Sequence, residues 1–210
     1  MSTSSSSRTG RIALIIGVTA LAIAVVAPGA AAASAKTKRV NVRSNGAQSY
    51  GGDSSRPSIS ADGRYVAFES RASNLVANDT NGDKDIFVHD RKTKKTKRVS
   101  LRSSGAEAVG GNSSDPSISA DGRYVAFESD ASNLVANDTN GEEDVFVHDR
   151  KTKKTRRVSK HSNGTQATGA SNRPSISANG RFIAFQSNAS DLVANDTNGD
   201  ADVFRRGPLR

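Results

Sequence analysis

Short apolar runs separated by long stretches of Ser, Gly, Asn and Asp pattern the chain from residue 37 onward. The fullest run lies in Pro-Ser-Ile-Ser-Ala-Asp-Gly-Arg-Tyr-Val-Ala-Phe-Glu-Ser, residues 57–70, which returns nearly unchanged at 116–129 and, edited, at 174–187. The spacings are 59 and then 58 positions. A fixed period of that size marks a repeat architecture, in which each unit buries its apolar face against its neighbours. Within the unit, Ser58-Ile59-Ser60 alternates and predicts a short strand. Asp62-Gly63 is a two-residue hairpin signal, because both positions tolerate φ > 0, and Asn179-Gly180 takes its place in the third unit. Residues 64–68 are largely apolar on both alternating sets, which predicts a strand buried on both faces. Residues 85–90 predict a third strand, and residues 97–101 a fourth, more exposed one. The expected fold class is all-β. Three four-stranded blades of β-propeller type span about residues 57–101, 116–160 and 174–206. Residues 37–42 match residues 96–101, so the chain carries an orphan outer strand at 37–43. No fourth strand follows residues 202–204, and the orphan is expected to close the third blade.

The Pro-Ser-Ile-Ser-Ala-Asp-Gly-Arg-Tyr-Val-Ala-Phe stretch, followed by Asp-Ile-Phe-Val-His-Asp-Arg, resembles the WD-like repeat of TolB-type β-propellers. The likeness covers roughly residues 37–210. It implies a secreted protein, built on a ring that usually has six blades, that binds other proteins rather than catalysing a reaction. This chain departs from the family in having three units and longer loops. Two copies would supply six blades, so the expectation is a homodimer in which strand 37–43 of one chain pairs with residues 202–204 of the other.

Residues 1–35 read as a leader rather than part of the fold. Arg8 and Arg11 precede an apolar run at 12–27, and Ala33-Ser34-Ala35 is a small-residue cleavage site, the three-part pattern of a secretory signal peptide. The run is short for a spanning helix, which needs about 20 apolar residues. The expected location is therefore extracytoplasmic, in the periplasm or cell envelope. The chain has no cysteine, so an exported fold would not lean on disulfides. Formal net charge is +9. Removing the leader with its two arginines leaves about +7.

Charge changes the picture most in two places. The loop at 78–85 reads Asp-x-Asn-Gly-acid-x-Asp from Asp79, and recurs at 137–144 and 195–202. Asp79, Asn81, Asp83 and Asp85 are candidate Ca²⁺ ligands, as are Asp138, Asn140, Glu142 and Asp144, and Asp196, Asn198, Asp200 and Asp202. Alternate oxygen-bearing side chains in a tight loop can converge on one hard cation, and the Gly lets the backbone turn. The EF-hand pattern is not met, since the Gly is fourth rather than sixth and no distal Glu follows. An Asx-turn leading into a strand fits the same residues. The second place is basic. Arg91, Lys92, Lys94 and Lys95, and likewise Arg150, Lys151, Lys153 and Lys154, sit at the tips joining third and fourth strands. Such tips share one face of a disc, opposite the acidic loops. They suit an anionic surface, or simply a solvated hairpin.

Catalysis finds little support. There is no Cys nucleophile and no Gly-x-Ser-x-Gly elbow. The three histidines lack metal-site spacing. Nucleic acid is not an expected partner, because few aromatics interleave with the basic residues. The expected function is a non-enzymatic scaffold for a protein or anionic cell-wall polymer, with Ca²⁺ as the one candidate cofactor. A truncated propeller fragment and a carbohydrate-active enzyme are the alternatives the sequence leaves open.

Overall fold

A computed structural model describes residues 35–209. The expected leader lies outside the described residues apart from Ala35. From Lys38 onward the chain packs as one unit. Its first sheet contains β1 (Ser54–Ile59), β2 (Tyr65–Ser70), β3 (Asp85–Asp90) and β4 (Lys95–Arg98). The second contains β5 (Ser113–Ile118), β6 (Tyr124–Ser129), β7 (Asp144–Asp149) and β8 (Lys154–Arg157). The third contains β9 (Ser171–Ile176), β10 (Ile183–Ser187) and β11 (Asp202–Arg206). Every pairing is antiparallel and follows chain order. The fold is all-β, with blade-like sheets of four, four and three strands among the described residues.

Alternation decides what each strand buries. On β2 and β3, Phe68 and Phe87 pair across the ladder and stack with ring centroids 5.9 Å apart, as do Phe127 with Phe146 and Phe185 with Phe204. The other face of the first blade carries Ala67, Ile86 and Val88. It packs against Ile118, Val125, Phe127, Leu134 and Phe146 of the second blade. The second blade meets the third in the same way, Val145 and Val147 packing with Ile183 and Phe185. The core is thus a series of junctions between blades, as the repeat period requires.

Four features differ from the sequence-based expectations. The first strand of each blade begins before the proline, not after it. A bulge lets the strand pass through Pro57, which has no N–H for the ladder. The residues before the prolines, Arg56, Asp115 and Arg173, take φ of 49°, 51° and 52°. The exposed N–H then has a use: Asp115 N donates to Glu69 Oε2 of the first blade at 3.2 Å, and Arg173 N to Glu128 Oε2 at 2.8 Å. In the Asp62-Gly63 turn only the glycine is left-handed (φ 67°). Asp62 works through its carboxylate, which accepts from Ser60 Oγ at 2.6 Å and Arg64 N at 2.9 Å. The fourth strand stops at Arg98 instead of running to residue 101. The Ile86 N–H goes to the Ser100 hydroxyl, and Leu101 N turns back onto Val99 O, so the chain leaves the sheet. Residues 37–43 form no strand. Val42 makes only an isolated bridge to Gln48, and among the described residues nothing pairs with the outer edge of β11.

Candidate functional site

The acidic loops lie between the second and third strands of each blade, and the three copies share one backbone. Asn78, Asn137 and Asn195 are left-handed (φ 61°, 58° and 63°), and Gly82, Gly141 and Gly199 have φ of 72°, 70° and 73°. This brings the first and last Asp of each motif towards one point. In the first blade that point is filled by an arginine. Arg98 Nη1 donates to Asp85 Oδ2 at 2.7 Å and Asp79 Oδ1 at 3.2 Å. Its Nη2 donates to Glu107 Oε1 at 2.5 Å and Asn78 O at 3.0 Å. Asn81 Nδ2 donates to Asp85 Oδ2 and to Ala108 O, fastening the loop to the segment after β4.

The second blade keeps the cluster, but its arginine makes ion pairs through Nε and Nη2, which form no hydrogen bond. Arg157 lies 3.1 Å from Asp138 and 3.3 Å from Asp144. Gln166 replaces Glu107, and its amide donates to Asp138 Oδ1 at 3.1 Å and Asp144 Oδ2 at 3.4 Å. Both arginine side chains are buried, as are Asp79, Asp85, Asp138 and Asp144. Burial pushes Asp79 and Asp144 up to about 6 against the pull of the arginines. Asp83 and Glu142 contribute backbone N–H groups to Asn81 and Asn140 and take no part in the cluster. In the third blade Asn198 Nδ2 donates to Asp202 Oδ2 at 3.1 Å, and Asp200 N to Asn198 Oδ1. Asp196 and Asp202 have no ion-pair partner among the described residues.

The candidate ligands therefore converge in pairs as the motif suggests, but in two blades the cation between them is a guanidinium. Those residues do not fit Ca²⁺, because the charge and space it would take are already filled. Among the described residues no group of three or more His, Asp or Glu is placed to hold a metal ion. Arg98 and Arg157 are the residues that sequence reasoning passed over. A signal was present: Arg39, Arg98 and Arg157 recur at one register, each followed by Val and, nine residues on, by Gln48, Glu107 or Gln166.

The basic tips lie at the opposite end of the sheets, beside the Asp-Gly turns. Arg91 and Arg150 are structural. Arg91 Nη1 donates to Gly63 O, Arg150 Nη1 to Gly122 O, and the Arg150 guanidinium sits 4.3 Å from the centre of the Tyr65 ring on the neighbouring blade. Lys92, Lys94, Lys95, Lys151, Lys153 and Lys154 are exposed, and none is in an ion pair among the described residues. His89 and His148 are buried and share hydrogen bonds with Thr96 and Thr155 at 2.9 Å. Burial pushes His148 down to about 4, which keeps its ring neutral near pH 7.

One substitution between the repeats carries a testable consequence. Lys84 Nζ donates to Glu69 Oε1 at 3.2 Å across the first blade. The second blade has Glu143 at that position, near Glu128 and Asp130, and burial followed by these carboxylates pushes Glu143 up to about 7. Its folded pKa lies above its unfolded one, so ionisation costs stability as pH rises from the ordinary glutamate range through about 7. Glu143→Lys is expected to remove that loss and restore the bridge. The gain is about 1–2 kcal/mol at pH 8, allowing for solvent screening, and it vanishes near pH 4.5. Thermal melts across that range check it.

No protein-family model and no curated protein matches the chain. Among solved structures it is similar to TolB from Acinetobacter baumannii, with 20% identity and a TM-score of 0.42 over 73% of this chain and 29% of that one. A putative TolB from Agrobacterium tumefaciens has 17% identity and a TM-score of 0.45, covering 74% and 50%. The β-propeller domain of the Trilobed protease from Pyrococcus furiosus has 14% identity and a TM-score of 0.42, covering 76% and 44%. The chain thus spans half or less of the length of these structures.

Proposed function

We propose that this protein is an exported, non-enzymatic binding module that attaches through its hairpin tips to an anionic polymer of the cell envelope. The observation that carries this function is the disposition of lysines. Six of them, on two adjacent blades, project at one end of the sheets free of ion pairs among the described residues. At the other end, Arg98 and Arg157 are held inside the acidic loops, by Asp79, Asp85 and Glu107 and by Asp138 and Asp144, and add no free positive charge there. The unit is polarised, with its free lysines gathered at one end of the sheets and its acidic loops at the other. A cluster of like charges raises the local concentration of an anionic partner and speeds its capture. The cation of the acidic loops in blades one and two is arginine, and the proposed attachment calls on no Ca²⁺ at those two loops.

The test is binding to poly-L-glutamate, followed by calorimetry at low and at about 0.5 M salt. Binding at low salt should fall by at least about tenfold when Lys92, Lys94 and Lys95 are changed to Gln, and should disappear at high salt. Binding that survives high salt, or that ignores the lysine substitutions, would rule this function out.

A further inference from the structure

The unit holds half of an additional junction at each end. At its start, residues 40–49 lie on the first blade as residues 99–108 lie on the second. Thr96 Oγ1 donates to Val42 O and Thr96 N to Ser44 Oγ, just as Thr155 Oγ1 donates to Leu101 O and Thr155 N to Ser103 Oγ. Residues 38–40 therefore stand where the outer strand of a preceding blade would run. Arg39 and Gln48 occupy the repeat positions of Arg157 and Gln166. At the far end, Asp196 and Asp202 form the same pair as Asp138 and Asp144, without an arginine among the described residues. A cavity of about 360 Å³ opens there, lined by Asn195, Asp196, Asn198, Asp202, Val203 and Phe204.

Exposure marks the same two ends. Val203 is 80% exposed, whereas its counterparts Ile86 and Val145 are fully buried. Ile59 is 59% exposed, against 7% for Ile118. Backbone groups agree. Ala61 N donates to Ala120 O and Ala120 N to Ala178 O, while the N–H of Ala178 meets no such acceptor among the described residues.

We propose that a second copy of this chain completes the third blade. The partner's residues 38–40 add as a strand beside β11, and the partner's Arg39 enters between Asp196 and Asp202. The partner's Gln48 then bridges those carboxylates as Gln166 bridges Asp138 and Asp144. The register follows from Phe87 opposite Arg98 and Val88 opposite Lys97: Phe204 lies opposite the partner's Arg39, and Arg205 opposite the partner's Lys38. Charge fits, since two carboxylates receive one guanidinium as in the second blade. The contact is head-to-tail, each copy both gives and receives a segment, and two copies supply six blades, within the four to eight that ring a central channel. An edge strand and an exposed apolar position disappear at both junctions together. None of this depends on what the disc binds.

Light scattering on the purified protein should give twice the chain mass at micromolar concentration. A monomer, or an open series of larger species, would overturn the proposal. Arg39 is exposed in the unit, so Arg39→Asp should fold normally yet raise the dimer dissociation constant by about 100-fold or more, by setting a third carboxylate against the pair. An unchanged constant counts against the assignment. A covalent check needs no destabilising change, because the chain has no cysteine and Lys38 and Arg205 are both exposed. The double variant Lys38→Cys, Arg205→Cys should form disulfides between chains on mild oxidation. Cysteines that stay reduced, or that bridge within one chain, would overturn the shared strand.

Discussion

Arg98→Ala is expected to destabilise the unit by about 3–5 kcal/mol at pH 8, because it removes one partner from a buried cluster and leaves the others uncompensated. The arginine sits between Asp79, Asp85 and Glu107, with the two aspartates almost wholly buried. Asp79 is already held high by burial, at about 6 with the arginine in place. Without it, the Asp79 pKa rises further above its unfolded value. A group raised in the folded state contributes stability at low pH and loses it as pH climbs through the folded pKa. The loss should therefore be full at pH 8 and shrink towards about pH 4. Denaturant melts at pH 8 and pH 5 give the comparison, and equal losses at both would argue against a charge cluster. In the same instrument, millimolar Ca²⁺ should leave the melting temperature of the unaltered protein where it is. A rise would show that the acidic loops take the metal after all.

Phe127→Ala is the second large effect, about 3–5 kcal/mol. Its ring is fully buried, stacks on Phe146 within the second blade, and packs against Ala67, Ile86 and Val88 of the first. Removing it opens a cavity at a junction between sheets that are themselves stiff, so little collapse can refill the space. For a chain of this size the melting temperature should fall by roughly 10 °C or more. A melting curve within a degree of the original would mean that the blades do not share a core.

The strand β2 was legible from sequence because both of its alternating sets are largely apolar, and a continuous apolar run flanked by turn residues has few other solutions. Phe68, Phe127 and Phe185 were found in the core on the same ground. The bulge was not legible. A proline after Asp115 or Arg173 suggests that a strand begins there, and only the N–H bond to Glu69 or Glu128 on the preceding sheet explains why the strand runs through it. The Asp pairs were read as ligands from spacing within one loop. What they face is set by Arg98, which is 19 residues from Asp79 and 13 from Asp85 in sequence. Local patterning placed the carboxylates, and only the return of the chain along β4 supplied the cation. The basic tips divide for a similar reason. Arg91 and Arg150 read as surface charge, yet each is tied to the carbonyl of an Asp-Gly turn, and Arg150 is also covered by a ring from the blade before it.

The Tyr65 ring lies against Gly122, where an added Cβ would come within 2.1 Å of it, and Tyr124 lies likewise against Gly180 at 2.3 Å. Such a fit has a consequence for how a gene like this can lengthen or shorten. Each repeat carries both halves of the contact, the ring on its own second strand and the bare turn that receives the ring before it. Unequal crossing-over that adds or drops one whole period therefore joins a ring to a bare turn at the new seam, with no compensating change elsewhere. An exchange out of phase would set a ring against a residue with a side chain. Variation in blade number should thus move in whole periods, and the glycines at 122 and 180 should tolerate drift far less than Gly82 and Gly141, whose added Cβ would meet nothing within 4 Å.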